Sequence, residues 1–259
     1  MAIGLLFDRN QSVRMCFIAL ASTFLALRVV ADDQIVKKDG TVIVGHIANV
    51  SGEQVWVEGR TANGGIAKFP SYISDIKSIS MAVPADVTKV QAPNTPPAVV
   101  IATLEPQVKL FAGLPVPWVV DAMAQLGDAY TQVGQNSQAM DIYTKIGALY
   151  PGSAYVNVAN ASKAQMALDA NKVDDALKIV QPIVDEANKN IAPSPIDGAT
   201  YAKAFLVYGK VLLAQKKPQQ ALEAFLTVKT MFYQNPALVA EAEHYVEDVR
   251  KNNPGIGVE

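Results

Sequence analysis

Three pairs of small residues recur in phase along the C-terminal half of this chain, and the second member of each pair follows the first at +12. The pairs are Gly127 with Ala139, Ala164 with Ala176, and Gly209 with Ala221. A large apolar residue follows the second member of each pair at +4, and another follows at +7. Small residues are needed where two paired helices cross closely, and the apolar faces of such hairpins are buried only when hairpins stack. The spacing therefore predicts an array of helical hairpins, which forms a binding surface more readily than an active site.

Polar breaks separate the predicted helices. Residues 134–136, 171–172 and 216–218 interrupt the helical pattern inside the three units. The second and third units lie 45 residues apart, because residues 188–198 contain prolines, asparagines and a glycine that cannot continue a helix. After the third unit, residues 237–251 have one apolar stripe and a polar opposite side, which predicts a capping helix.

The first unit resembles a tetratricopeptide repeat (TPR), whose pattern is W-x2-L-G-x2-Y, then A-x3-F, then P. Methionine and tyrosine stand here in place of the family's tryptophan and phenylalanine, and both keep the bulk. The second unit lacks the Leu-Gly pair and the closing proline, so the three in-phase copies support the resemblance together. The matching residues are Met123-x2-Leu126-Gly127-x2-Tyr130, Ala139-x3-Tyr143 and Pro151.

In the family that the chain resembles, the first helix of each hairpin lines the concave face of the array. The resemblance implies a peptide-binding groove that is acidic at one end and basic at the other. Its side chains are expected to face solvent, so that Asp128→Ala is tolerated whereas leucine at Gly127 is not. The alternative is a solvated helix face with ordinary charges. The implied groove residues are Asp121, Asp128 and Gln132 from the first unit, Gln165 and Asp169 from the second, and Lys203 and Lys210 from the third.

Residues 34–81 alternate between polar and apolar side chains and contain several glycine turns, which predicts short strands at 34–37, 41–50, 54–58, 66–69 and 76–79. Five short strands in so few residues favour a small closed barrel, because closure removes exposed edges. Gly45 is expected where the long second strand bends. The order of the runs resembles a small SH3-like or Sm-like barrel. Few clustered basic residues accompany it, so no nucleic-acid partner is expected.

Prolines are spread through residues 82–117, which predicts an extended linker with at most a short helical turn. We therefore expect an α+β multidomain protein, in which a small five-stranded β-barrel precedes a TPR-like solenoid of about three hairpins and a capping helix. The barrel and the repeats are expected to fold separately. The predicted boundaries are 1–31 for a signal peptide, 32–81 for the barrel, 82–117 for the linker, 118–251 for the repeats and 252–259 for a tail.

Residues 1–31 have the layout of a secretory signal peptide. Two arginines precede an apolar run over 15–27, and small or medium residues lead to Ala31. The run is short for a bilayer-spanning helix. We therefore expect export to the periplasm or the extracellular space and no membrane span after signal removal, with an uncleaved anchor as the alternative. Cys16, the single cysteine, lies in this segment, so no disulfide or thiolate is expected afterwards.

The sequence contains no clear motif for catalysis, metal binding or phosphate binding. Without residues 1–31 the chain has 19 basic and 23 acidic residues, a mildly acidic balance that does not favour nucleic acid. His46 and His244 fall in different predicted domains, without a second ligand at metal spacing. Gly64 and Gly65 lack the lysine and helix of a phosphate-binding loop. We therefore expect no catalytic residues, no cofactor and no metal site.

Recognition remains, and two classes of function stay open. The first is an exported scaffold that binds another protein or peptide of the cell envelope through the concave face of its repeats. The chain loosely resembles periplasmic repeat proteins of envelope-coordinating systems, whose hairpins end in Tyr-Pro-x-Ser, as residues 150–153 do here. The second is a structural or glycan-contacting module with the barrel as ligand head. Trp56 and Tyr72 would then stack on the ligand, although a tryptophan in such a strand is more often part of the core.

Overall fold

The computed structural model describes residues 33–61, 63–92 and 94–256, which form an antiparallel sheet followed by helices. The signal peptide predicted for residues 1–31 lies outside the described residues. The strands are β1 (Asp33–Lys37), β2 (Val42–Ser51), β3 (Gln54–Arg60), β4 (Ile66–Tyr72) and β5 (Ile76–Ser80). The helices are α1 (Ala85–Val90), α2 (Pro97–Phe111), α3 (Pro117–Gln132), α4 (Asn136–Leu149), α5 (Tyr155–Asp169), α6 (Val173–Ala187), α7 (Pro195–Ala214), α8 (Pro218–Met231) and α9 (Pro236–Asn252).

The strands follow one another at the predicted places, and their spatial order is β4-β3-β2-β1-β5. The long strand β2 changes partner along its length. It pairs with β1 as far as Gly45, which lies opposite Asp33, and it pairs with β3 from His46, which lies opposite Glu58. Gly45 therefore marks the point where β2 passes from one half of the sheet to the other, as the bend predicted at this glycine requires.

The closed barrel predicted from the sequence is not confirmed. Among the described residues no pairing joins β4 to β5, so these strands are the two edges of an open sheet. Pro70 lies in the edge strand β4, where a residue without an N–H group is tolerated. A short 3-10 turn at Ile73–Asp75 then leads the chain away from β4 and into β5. Among the described residues, β4 and β5 therefore each have one edge that is not paired with another strand.

The extended linker predicted for residues 82–117 is wrong, because α1 and α2 occupy most of it. Pro97 stands at the start of α2, where the missing N–H costs nothing, and Pro106 inside the helix is exposed. The buried residues of α2 form an apolar stripe at helical spacing. The prolines in the same segment favoured a linker instead of this helix. The residues of the stripe are Val100, Leu104, Val108 and Phe111.

One hydrophobic cluster extends from the sheet through α1 and α2 into the first hairpin. It joins Ile47 and Val57 of the sheet to Leu104 of α2 and Met123 of α3, all almost fully buried. A second cluster fills the space between α5 and α9. Separate folding of residues 32–81 and 118–251 stays a prediction, which thermal melting of each segment expressed alone would test.

The helices pair as the spacing predicts, in the hairpins α3–α4, α5–α6 and α7–α8, with α9 after them. The small residues lie at the crossings. A Cβ atom added to Gly127 would lie 2.5 Å from Cε1 of Tyr143, and one added to Gly209 would lie 2.5 Å from Cε1 of Phe225. Both rings are fully buried. The aromatic ring at +4 therefore packs directly on the backbone of the preceding helix.

The turn inside each hairpin repeats the same backbone conformation. Gly134, Asn171 and Lys216 have positive φ values of 75°, 59° and 58°, and each stands five positions before the second small residue of its unit. Glycine adopts this conformation readily, asparagine tolerates it, and lysine does so at a cost. The hairpins thus share one turn geometry although the turn residue differs.

Candidate functional site

The first helices of the hairpins form one side of the array. Helix α5 contacts both α3 and α7, and α7 also contacts α9. We call the side formed by α3, α5, α7 and α9 the inner face. Close approach of alternate helices on one side curves a hairpin array and makes that side concave.

The structure places the predicted groove residues on these helices in repeat-related rows. Asp128, Gln165 and Lys210 each follow the first small residue of their unit by one position, so they form one row across α3, α5 and α7. Asp121 and Lys203 share a second row, and Gln132 and Asp169 share a third. Gln132 and Asp169 are exposed near the C-terminal ends of α3 and α5. All seven residues therefore lie on the first helices of the hairpins, and their role in binding a peptide stays a prediction.

Asp128 is the centre of a hydrogen-bond network that joins four helices, α3, α4, α5 and α7. Its Oδ1 accepts from the Tyr143 hydroxyl at 2.7 Å, from Ser162 Oγ at 3.1 Å and from Lys203 Nζ at 3.2 Å. Lys203 Nζ also lies 2.7 Å from Ser162 Oγ. Burial and the charge of Asp128 raise the pKa of Tyr143. The network stabilises the packing of the first hairpin against the next two.

A second network continues along the inner face to α9. Lys210 Nζ donates to Gln165 Oε1 at 3.1 Å and to Glu241 Oε1 at 2.7 Å, and it lies 5.4 Å from the centroid of the Tyr245 ring. Gln165 Nε2 in turn donates to Asp169 Oδ1 at 2.6 Å. The lysine side chain is only 15% exposed, and Glu241 provides it with an opposite charge.

These pairs correct two predictions about the groove. It is not acidic at one end and basic at the other, because Lys203 is paired with Asp128 and Lys210 with Glu241. Asp128 does not point freely to solvent, since it accepts hydrogen bonds from three side chains. Sequence reasoning missed Ser162, Glu241 and Tyr245. Ser162 carries a signal, because it is a polar residue on α5 on the same helical face as Gln165 and Asp169.

Asp121 holds a third set of contacts, at the N-terminal side of the inner face. Its carboxylate accepts from Gln91 Nε2 at 3.1 Å, from Gln125 Nε2 at 2.9 Å and from the Tyr155 hydroxyl at 3.2 Å. Gln91 immediately follows α1, so the segment predicted as a linker contributes to this face. Asp121 therefore connects α3 to both the preceding segment and the next hairpin.

The proximity of Ser162 and Lys203 resembles a nucleophile beside a base, but its surroundings do not suit that chemistry. Ser162 is only 3% exposed, and its hydroxyl is also within hydrogen-bond distance of the Val158 carbonyl. Lys203 Nζ is also engaged in an ion pair with Asp128, at 3.2 Å from Oδ1, so its position is explained without a role as a base. We therefore interpret this contact as structural.

Replacing Asp128 by alanine should lower the free energy of unfolding by about 1–2 kcal/mol, because the buried hydroxyl groups of Tyr143 and Ser162 lose a charged acceptor in a partly buried setting. Chemical denaturation of the variant measures this loss. Asp169→Ala is the matched control, because Asp169 is exposed and its change should stay within about 0.5 kcal/mol. A double-mutant cycle with Tyr143→Phe should show coupling, and strictly additive losses would contradict the network.

Two tyrosines predict a loss of stability at alkaline pH. Burial raises the pKa of Tyr150 to about 12, and burial together with the charge of Asp121 raises the pKa of Tyr155 to about 12. The unfolded chain ionises first, near the ordinary value of 10.0, so the stability is fully present below that pH and is lost as pH rises towards 12. Urea midpoints measured across this window should fall with pH.

The Tyr150→Phe, Tyr155→Phe double variant should flatten that decline, because neither ring can then ionise. Tyr233→Phe is the control, since Tyr233 is 67% exposed. An equally steep decline in the double variant and in the control would show that other groups cause it.

The outer side of the sheet brings together the residues named for glycan contact. Trp56 lies on the face of β3 opposite the buried Val55 and Val57, so it is not part of the core between them. It is paired with Pro70 on β4, and Tyr72 stands two residues further along the same strand face. Tyr72 is 52% exposed. The two aromatic residues are therefore diagonal neighbours on one side of the sheet.

Within the described ranges, no set of three or more His, Cys, Asp or Glu side chains is arranged to hold a metal ion. His46 lies 3.6 Å from Asp33, and His244 lies 3.5 Å from Asp248. Each histidine thus has one acidic side chain within 4 Å among the described residues, in its own part of the fold. None of the described helices is both long and apolar enough to cross a membrane.

No protein-family model and no curated protein sequence matches this chain. Two solved structures are similar to part of it. The nearly identical TPR-like repeats of a Podosopora anserina kinesin light chain are 17% identical, with 65% of this chain and 83% of the other covered and a TM-score of 0.43. A double mutant of MamA RS-1 is 13% identical over 67% of this chain and 99% of the other, with a TM-score of 0.40. Both TM-scores are below 0.5, so neither likeness is used to assign the fold. The helical repeats are shown by the helix packing described above.

Proposed function

We propose that this chain is an exported, non-enzymatic scaffold that binds a partner protein or peptide of the cell envelope through its inner face. The observation that supports this most is the continuity of that face. Polar side chains of α3, α5, α7 and α9 form linked networks across the stacked hairpins, so a long surface is held in a fixed arrangement. A preorganised surface loses little conformational entropy when an extended partner binds.

The mode of binding follows from the contacts. The charged groups of the inner face already have partners, so a ligand gains little from a single new ion pair. Exposed amide and carboxylate groups at Gln132 and Asp169 remain accessible at its rim. We therefore expect a partner that lies along the face and exchanges water for many modest hydrogen bonds, as repeat arrays with extended concave surfaces do.

Site-specific photo-crosslinking in the cells that make the protein tests this proposal. A photoreactive residue at Gln132 or Asp169 should give one discrete adduct, because both lie on the inner face. The same residue at Lys145, which is exposed on the second helix α4, is the control. Adducts of equal yield at all three positions, or an adduct at Lys145 alone, would contradict binding through the inner face.

Export is a separate part of the proposal and has its own test. The order of basic, apolar and small residues over 1–31 supports it. Sequencing the amino terminus of the cell-made protein should give a chain that begins near Asp32, in a fraction outside the cytoplasm. A retained Met1 in the cytosolic fraction would reject export without affecting the scaffold proposal.

The second candidate function is glycan contact by the sheet, which we infer to be an open SH3-like module. The supporting observation is the pairing of Trp56 with Pro70 next to the exposed Tyr72, because flat aromatic faces stack on sugar rings. Titration with chitotriose or maltotriose should change tryptophan fluorescence, and Trp56→Ala should abolish that change. Trp118 is the internal control, since it is buried and should not respond.

A further inference from the structure

A cleft of about 720 Å³ lies between α4, α5 and α6, apart from the inner-face residues. Its large apolar side chains are Met140, Met166 and Ile179, and its charged ones are three lysines against one aspartate. We call this the basic cleft. The lysines are Lys163, Lys172 and Lys178, and the aspartate is Asp175.

The fold makes the same kind of cleft at each successive hairpin. One lies between α2, α3 and α4, and another lies between α6, α7 and α8. Residues at equivalent repeat positions line all three, so the clefts can be compared position by position. Differences between them cannot come from the architecture, because the architecture is shared.

Two equivalent positions set the basic cleft apart. Lys163, one residue before the first small residue of its unit, corresponds to Leu126 in the preceding cleft and to Tyr208 in the following one. At the position two residues after the second small residue, the neighbouring clefts have acids whereas the basic cleft has Lys178. These acids are Asp141 and Glu223. The basic cleft thus has Lys163 where its neighbours have a large leucine or tyrosine side chain. It also has the positive Lys178 where they have a negative side chain.

Lys163 is partly buried, and burial lowers its pKa. Within the described residues the side-chain ammonium groups of Lys163, Lys172 and Lys178 make no hydrogen bond or ion pair, unlike those of Lys203 and Lys210 on the inner face. A partly desolvated ammonium group without a partner is unfavourable, and an anionic ligand would relieve that cost. The apolar floor requires that the ligand also present a large apolar group.

We propose that the basic cleft is a second binding site, which takes an acidic amphipathic segment of a partner protein. Large apolar side chains of the segment pack on Met140 and Met166, and its carboxylates reach Lys163 and Lys178. Methionines suit such a floor because their flexible side chains adapt to different apolar groups. The cleft is open to solvent, as a groove that accepts a helical segment is. None of the residues in the inner-face networks lines this cleft, so the chain would bind two partners at once.

The probe is a fluorescein-labelled synthetic peptide with leucines at i and i+4 and glutamates at the positions between them. A matched peptide carries lysines in place of the glutamates. Fluorescence polarisation with the whole protein should show binding of the acidic peptide alone, weakening as salt is added. Methyl NMR should place the shift changes at Met140, Met166 and Ile179.

Lys163→Leu and Lys178→Glu restore residue types found at the same positions of the neighbouring clefts, so both variants should stay folded. Each should weaken binding of the acidic peptide roughly tenfold or more, as expected for loss of a charge-assisted contact. Lys145→Leu in the preceding cleft is the matched control and should leave binding unchanged. Equal binding of both peptides, or equal loss in the Lys145 variant, would overturn the proposal. Methyl shifts caused by dodecanoate but not by the acidic peptide would also overturn it, in favour of a lipid ligand.

Discussion

Replacing either Gly127 or Gly209 by alanine should lower the free energy of unfolding by about 2–3 kcal/mol through overpacking. The added methyl would lie 2.5 Å from a ring carbon of Tyr143 or Phe225, and further carbons of each ring lie within 3.0 Å. Neither ring can move aside easily. Phe225 stacks on Tyr245 at a centroid distance of 4.9 Å, and the Tyr143 hydroxyl is fixed by Asp128. Chemical denaturation of each variant measures the loss.

Gly147 provides a control of opposite sign. It lies in α4, and a methyl group there would meet nothing within 4 Å. Gly147→Ala should therefore raise the free energy of unfolding by about 0.5–1 kcal/mol, the difference in helix propensity. In a background with Phe225→Leu, the penalty of Gly209→Ala should shrink, because the ring that clashes is absent. An unchanged penalty in that background would show that the ring is not its cause.

Gly45→Ala should be still more damaging, with a loss of about 3 kcal/mol or more, because overpacking against backbone has no easy relief. A Cβ atom at this position would overlap the carbonyl oxygen of Glu58 on β3. The residue stands where β2 changes its partner, so a shift there would disturb both halves of the sheet. Thermal and urea unfolding of the variant would measure the effect.

Gly59 on the neighbouring strand is the matched control for this change. The nearest atoms to a Cβ at Gly59 are the Val44 carbonyl oxygen at 3.4 Å and a Phe69 ring carbon at 3.5 Å, which are ordinary contacts. Gly59→Ala should therefore change the free energy of unfolding by less than about 0.5 kcal/mol. Similar losses at both glycines would mean that strand propensity, rather than the clash, determines the result.

The sequence predicted the hairpins well because their signal is local. A small residue and an aromatic ring sixteen positions later, as in Gly127 with Tyr143 and Gly209 with Phe225, need only one turn to meet. Helix α2 was missed because its prolines were given more weight than its buried stripe. The sequence also could not predict whether the sheet closes. The alternation of polar and apolar residues shows which side chains face inward, but not whether the strands β4 and β5 meet.

The candidate site was predicted in part for the same reason. Equivalent repeat positions assigned Asp128, Gln165 and Lys210 to the first helices of the hairpins, but did not give the partners of their charged groups. The contact of Lys203 with Asp128 joins residues 75 positions apart, through the stacking of three helices. Such a pairing depends on how far each hairpin rotates against the next, which no single unit encodes. The charge along the face therefore had to be read from the structure.

The shared hydrophobic cluster gives the sheet a further consequence. Stacked hairpins end in an apolar surface that would accept another hairpin, so an uncovered array is prone to grow end to end between molecules. At the N-terminal end that surface is covered, because sheet residues such as Ile47 and Val57 belong to the same cluster as α2 and α3. The sheet thus prevents another hairpin array from stacking on this end, which limits end-to-end growth between molecules. It also carries an exposed surface of its own. A hairpin inserted between α6 and α7 would lengthen the array and leave that covered end intact.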